Sequence, residues 1–231
     1  MIDIPVYDIQ GNQVDTLKVD ENLLGGTVKH GLLKQAYVRI HANQRQGTAA
    51  TKNRARTEGS TKKLYKQKHT GNARRGSIRT NIMKGGGRAH GKVPHSWRQD
   101  MPTKMRRLAN RNAVLAKAVD SEIKIIDSLA TFDKPSTKAF SNFLAALKID
   151  RSVLFALAST LSPAAKSAAN LDQVTITRID QINVFDLLNH RYLLADKASF
   201  QSWIDRAAQQ LAPDTASDQN TAQGTDQKES V

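Results

Sequence analysis

Cysteine is absent from the 231-residue sequence, which excludes disulfide frameworks and thiolate metal sites. Aromatic residues are scarce at 5%, and the hydrophobic fraction of 39% is lean for a chain this long. No apolar run approaches the roughly 18 residues that a membrane span needs, so no membrane partner is expected. The opening residues, Met1-Ile2-Asp3-Ile4-Pro5, hold no basic stretch followed by an apolar one. No secretory or organelle-import signal is therefore expected, and the expected compartment is a cytoplasm. Acids are missing from one place in particular. Residues 52–111 hold 18 of the 35 Lys and Arg but only Glu58 and Asp100, a net of +16; the whole chain is +14, so the remainder is −2.

A near-neutral body carrying one intensely cationic segment is the pattern of a polyanion-binding element, and nucleic acid is the commonest polyanion. The apolar residues gather in the first 40 positions and in 103–211. A globular part of about 150 residues would bury about 70% of its unfolded surface, enough to fold without cross-links.

Ile2–Asp8 and Val14–Val19, joined at Gly11-Asn12, read as two strands. Val28, Leu32, Ala36 and Ile40 recur every four residues and predict a helix from Thr27 to about Asn43. Met105, Leu108, Leu115 and Val119 mark a second helix from Pro102, whose other face carries Lys104, Arg106, Arg107 and Arg111. Strands are expected at Ile123–Ile126, Val153–Ala158, Val174–Thr177 and Tyr192–Ala195. Ser136 and Asn183 are candidate N-caps, a short helix follows Pro163, and a last helix runs over Ser199–Leu211. Phe140, Phe143, Leu144 and Leu147 form the inward face of the helix after Ser136. Strands alternating with helices predict an α/β fold: a mostly parallel sheet flanked by helices, with a long extended basic loop inserted after the first helix. The globular domain is expected over 1–44 and 102–211, the loop over 45–101, and a disordered acidic, polar tail over 212–231.

Within 45–101 there is no sustained period. Seven of the thirteen glycines fall in 59–91, interleaved with Lys and Arg. Such a composition buries too little apolar surface to offset its ordering entropy, so order is expected only against a partner. Two arms of about 28 residues would reach at most roughly 90 Å. Cations neutralise phosphates and release counterions, glycines let backbones approach closely, and Tyr65 and Trp97 offer planes for unstacked bases. A solvated charge run needs neither the glycines nor the interspersed Ile78, Ile82, Met83 and Trp97.

Other chemistries fit poorly. Gly86-Gly87-Arg88-Ala89-His90-Gly91-Lys92-Val93 imitates a phosphate-binding loop, but Val93 has no hydroxyl for Mg²⁺, and no strand leads into it. His69, His90 and His95 lie in a field that repels metal cations, and His30, His41 and His190 read as packing or surface residues. No carboxylates converge for acid–base work, and no Gly-rich fingerprint follows the first strand. No catalytic residue, metal or cofactor is expected. A doubly wound enzyme with a nucleic-acid-recruiting loop, and a free DNA- or RNA-binding regulator, stay open on the residues alone.

The stretch Tyr65-Lys66-Gln67-Lys68-His69-Thr70-Gly71-Asn72-Ala73-Arg74-Arg75-Gly76-Ser77-Ile78 resembles the loop signature of the ribosomal large-subunit protein four family, bacterial type. Arg45-Gln46-Gly47-Thr48 and Thr51-Lys52-Asn53-Arg54-Ala55 resemble the family's approach to that loop, and Met101–Ala109 its exit into a helix. Gly85-Gly86-Gly87 and Gly91-Lys92-Val93-Pro94 match in part. Tyr65 stands where Trp is usual, Lys66 for Arg, and His69 for Gly. The resemblance covers nearly all of 1–211.

It implies a structural constituent of the large subunit that binds large-subunit ribosomal RNA, supports early assembly and lends its loop tip to the nascent-peptide exit tunnel. Neighbouring ribosomal proteins and the passing nascent peptide are the other implied partners. The expected RNA-contacting set is Arg45, Lys52, Arg54, Arg56, Lys62, Lys63, Tyr65, Lys66, Gln67, Lys68, His69, Gly71, Arg74, Arg75, Ser77, Arg79, Lys84, Arg88, Lys92, Trp97 and Arg98. Lys104, Arg106, Arg107 and Arg111 complete it at the loop's base.

Overall fold

A computed structural model describes residues 1–129 and 134–210. The chain divides into two compact units, one formed by Met1–Ile40 with the chain from Met101 onward, the other by His41–Asp100.

The first unit is built on a six-stranded sheet. Its strands are β1 (Ile2–Tyr7), β2 (Gln13–Val19), β3 (Ile123–Ile126), β4 (Val153–Leu157), β5 (Val174–Arg178) and β6 (Tyr192–Asp196), in the order β2-β1-β3-β6-β4-β5. β1 and β2 form an antiparallel hairpin, and every other neighbouring pair is parallel. Helices lie between the strands, α1 (Glu21–Leu24), α2 (His30–Asn43) and α3 (Thr103–Val119) before β3, then α4 (Thr137–Ala146), α5 (Pro163–Ala168) and α6 (Val184–Asn189), and α7 (Lys197–Gln209) follows β6.

Alternation along the central strands explains why both faces need cover. Leu154 and Ala156 of β4 join Leu193, Ala195, Ile123 and Ile125 in a core that includes Leu33 and Ala36 of α2, Ala113 and Leu115 of α3, and Phe200 of α7. Val153, Phe155 and Leu157 point the other way, into a second core with Phe140 and Phe143 of α4 and Ala164 and Ala168 of α5. All five residues of β4 are buried, as a strand covered on both faces requires. The caps follow local chemistry. Ser136 accepts from the Ala139 amide and Asn183 from the Asp186 amide, as their positions in the sequence predict.

Several details differ from the sequence reading. α2 begins at His30, not Thr27, and buries Leu33 with Ala36, leaving Leu32 only half-buried. The cause lies in α3, where fully buried Asn112 accepts from the Lys29 amide (2.7 Å) and donates to the Thr27 carbonyl (2.7 Å). Those backbone groups are thereby taken out of the helix. Val119, counted on the apolar stripe of α3, is exposed at the helix end. α7 starts at Lys197 behind an Asp196 cap, two residues before the expected start. Leu211 and the tail 212–231 lie outside the described residues. No helix among the described residues is long and apolar enough to cross a membrane.

Candidate nucleic-acid interface

Between Asn43 and Thr103 there is no helix or strand. The chain there leaves and returns side by side, joined by single backbone contacts. Asn43 closes the base, accepting from the Gln99 amide (2.7 Å) and donating to its carbonyl (3.2 Å). Further along, the amides of His95, Thr51 and Arg88 donate to the carbonyls of Gly47, Lys92 and Lys52, at 2.9–3.0 Å. Gly47 has φ +65, and a Cβ there would overlap the His95 carbonyl oxygen, so the arms can approach only with glycine at this crossing. Asn53 turns the outgoing arm, its Oδ1 accepting from the amides of Ala55 and Arg56.

Nearer the tip the contacts use side chains. Ser77 Oγ donates to the Ser60 carbonyl (2.8 Å), Arg79 Nη1 to that of Thr57 (3.2 Å) and Lys63 Nζ to that of Arg75 (3.0 Å). The Leu64 amide donates to the Gly76 carbonyl at 3.1 Å. The Tyr65 hydroxyl donates to the Ala73 carbonyl, so this half-buried ring is pinned from behind. Residues 66–72 form the turn, with His69 at φ +64 and Gly71 at φ +66. Histidine thus keeps the left-handed backbone at the position where the resembled signature has glycine.

This unit has almost no interior. Leu64, Ile78, Ile82, Val93 and Trp97 are all exposed, and no residue of 43–100 belongs to either hydrophobic core. Its charge is equally bare. It holds fifteen Lys and Arg against Glu58 and Asp100, and all but Arg79 are exposed. Of these fifteen, only Arg98 has an acidic partner among the described residues, Asp100 at 3.5 Å. Fourteen cations without a carboxylate leave a strong field unopposed, which suits phosphates.

The expected positions are distributed as follows. Arg45, Lys52, Arg54, Arg56, Lys62, Lys63, Lys66, Gln67, Lys68, His69, Gly71, Arg74, Arg75, Lys84, Arg88 and Lys92 are exposed along the two arms and tip. Ser77 and Arg79 are partly withdrawn into the contacts just described. Trp97 is 39% exposed, but one ring face already carries the Arg45 guanidinium at 3.8 Å, and His95 meets the ring edge-on. A base could stack only on what remains. The Gly86–Val93 stretch has neither strand nor helix beside it; a pocket of about 370 Å³ there is lined by Asn53, Arg54, Asn81, Arg88, His90 and Gly91. Among the described residues no three His, Asp or Glu side chains gather as metal ligands.

In the first unit Lys104, Arg106 and Arg107 are exposed on α3, while Arg111 is half-buried. Desolvation, with repulsion from Arg107, holds the Arg111 guanidinium below its ordinary pKa. A cation missed by sequence reading joins them. Arg39 of α2 lines a cleft with Arg106 and Arg107; a lone arginine three residues after Ala36 on an amphipathic helix gives no signal by itself.

Set beside known proteins, residues 17–206 match the family model described as "Ribosomal protein L4/L1 family". The chain is similar to proteins named "Large ribosomal subunit protein uL4". It is 37% identical to that of Dehalococcoides mccartyi (strain ATCC BAA-2266 / KCTC 15142 / 195) over 84% of this chain and 91% of the relative. It is 38% identical to that of Moorella thermoacetica over 84% and 93%, and 34% to that of Alkaliphilus oremlandii over 86% and 95%.

Proposed function

The chain belongs to the ribosomal protein L4/L1 family, and on that premise we propose that residues 41–100 are its ribosomal-RNA-binding element. The protein is a structural constituent of the large ribosomal subunit and not an enzyme. The observation that carries the RNA reading is the set of fourteen cations with no carboxylate partner, mounted on a unit with no apolar core. Exposed Lys and Arg along both arms neutralise phosphates of several RNA segments, and close glycine crossings keep the arms thin enough to pass between helices. Phosphate contacts of this kind position a protein without reading sequence.

The finer roles follow the same logic. A unit that gains its ordering energy from RNA serves early assembly, because it fixes RNA segments that have not yet packed. The turn 66–72, farthest along both arms, is the part that reaches the nascent-peptide exit tunnel, where it borders the passing peptide. The protein's place is the cytoplasmic ribosome, beside other large-subunit proteins.

The test is the salt dependence of binding of the full chain to large-subunit ribosomal RNA. With about eight phosphates neutralised, log K against log salt should fall with a slope near −6 to −7. A slope near zero would overturn the reading. For the tip, a photo-crosslinker placed at residue 69 should capture a stalled nascent peptide on intact ribosomes, and no capture would remove the tunnel role.

A further inference from the structure

Arg111 of α3 has a buried Nε with no hydrogen-bond partner among the described residues, and its Nη1 reaches the Ala207 carbonyl only at 3.5 Å. Buried donors are nearly always satisfied, so an unpaired one calls for an acceptor from elsewhere. Arg111 lines a pocket of about 190 Å³ between α3 and α7, together with Arg107, Arg206, Trp203 and Gln210. Among the described residues Asp180 is the one carboxylate on this pocket, and it is held by both Arg178 and Arg206. Arg107 and Arg111 are left without an acid there. Burial, with repulsion from Arg107, keeps the Arg111 guanidinium below its ordinary pKa, a cost that an anion beside it would relieve.

Gln210, on the pocket's lining, is where the chain continues into 211–231. That stretch holds Asp214, Asp218, Asp226 and Glu229 against Lys228, and it follows the family match, which ends at residue 206. Asp214 comes four residues after Gln210, a reach of at most roughly 14 Å. A carboxylate tethered so closely has an effective concentration on the order of millimolar, so even a weak ion pair is populated. Guanidinium forks suit carboxylate geometry.

We propose that this pocket is the docking site of the chain's own acidic segment. The Asp214 carboxylate accepts from Arg111 and Arg107 in the RNA-free chain, and RNA phosphates displace it. The segment is thus an internal competitor that covers two cations of α3 until a polyanion with enough phosphates arrives. The competition rests on the RNA-binding reading above; the docking does not.

The chain has no cysteine, so Ala216→Cys gives a single site for a bimane label, a fluorophore that nearby tryptophan quenches. In the full chain without RNA the label should be quenched. Asp214→Asn, Trp203→Phe or added large-subunit ribosomal RNA should each raise its emission, whereas Asp226→Asn, an equal loss of charge farther along, should not. In the unlabelled chain Asp214→Asn should bind that RNA about threefold more tightly than Asp226→Asn, the size of an exposed ion pair. Unchanged emission in both Asp214→Asn and Trp203→Phe overturns the docking, and equal RNA affinity of the two acid variants overturns the competition. Quenching that grows with protein concentration would give the pocket to the segment of a second copy and overturn the intramolecular contact. Quenching that needs Asp214, in a chain whose RNA affinity shows no salt slope, upholds the docking and overturns the RNA-binding reading instead.

Discussion

Gly87 lies directly against the backbone of Arg54: a Cβ on Gly87 would overlap the Arg54 amide nitrogen and Cα. Neither atom is the end of a flexible side chain, so the returning arm would have to move away from the outgoing one. Gly87→Ala should therefore open 45–100 to limited proteolysis and weaken ribosomal-RNA binding several-fold, since a looser unit must order more on binding. Melting of the first unit should not change. Wild-type cleavage kinetics in the variant would show that this crossing does not organise the unit.

Asn112 makes the opposite kind of contact, deep inside the sheet-bearing unit. Its fully buried side chain satisfies the Lys29 amide and the Thr27 carbonyl. Asn112→Leu leaves both groups unpaired and should cost about 2–4 kcal/mol, read as a lower urea midpoint at unchanged slope. A loss below about 0.5 kcal/mol, the size of an ordinary surface change, would mean the α2 start is held by something else.

That residue also shows where sequence reading stops. β4 was legible because five apolar residues in a row need no partner to be recognised as a buried strand. The basic segment was legible because charge adds along the chain whatever its conformation. Asn112 was not, because its partners lie 83 and 85 residues away and nothing local marks a polar residue as an internal clamp. The α2 stripe was misplaced by that same contact, which removes Thr27–Lys29 from the helix. α1, four residues long, is too short to show a period. Arg39 was invisible for a related reason: its meaning comes from α3, which follows some sixty residues later.

The ion pair between Lys197 and Asp15, 2.8 Å, gives a pH prediction. The Lys197 hydrogen bond, helped by the Thr16 amide, holds the Asp15 carboxyl below its ordinary 3.8. A depressed carboxyl contributes stability above the unfolded value that is lost as pH falls through the folded one. The Lys197 ammonium is raised above its ordinary 10.5, chiefly by the Asp15 hydrogen bond, so its share is present below that value and lost as pH climbs past it. Asp15→Asn should thus be slightly less stable than wild type at pH 7, and the gap should close as pH falls below 3.8 and through the depressed folded value. High salt should shrink the gap, because both groups are exposed. A gap that persists unchanged at pH 2.5 would rule out the pair as its source.

Hydrogen exchange on the full chain, free and bound to large-subunit ribosomal RNA, bears most directly on the claim that residues 45–100 have polar crossings but no core, and use their bare charge to order on RNA. In the free chain, amides of 45–100 should exchange orders of magnitude faster than those of β4 and β6, and RNA should slow them selectively. Protection in 45–100 equal to that of β4 in the free protein, and unaltered by RNA, would contradict it.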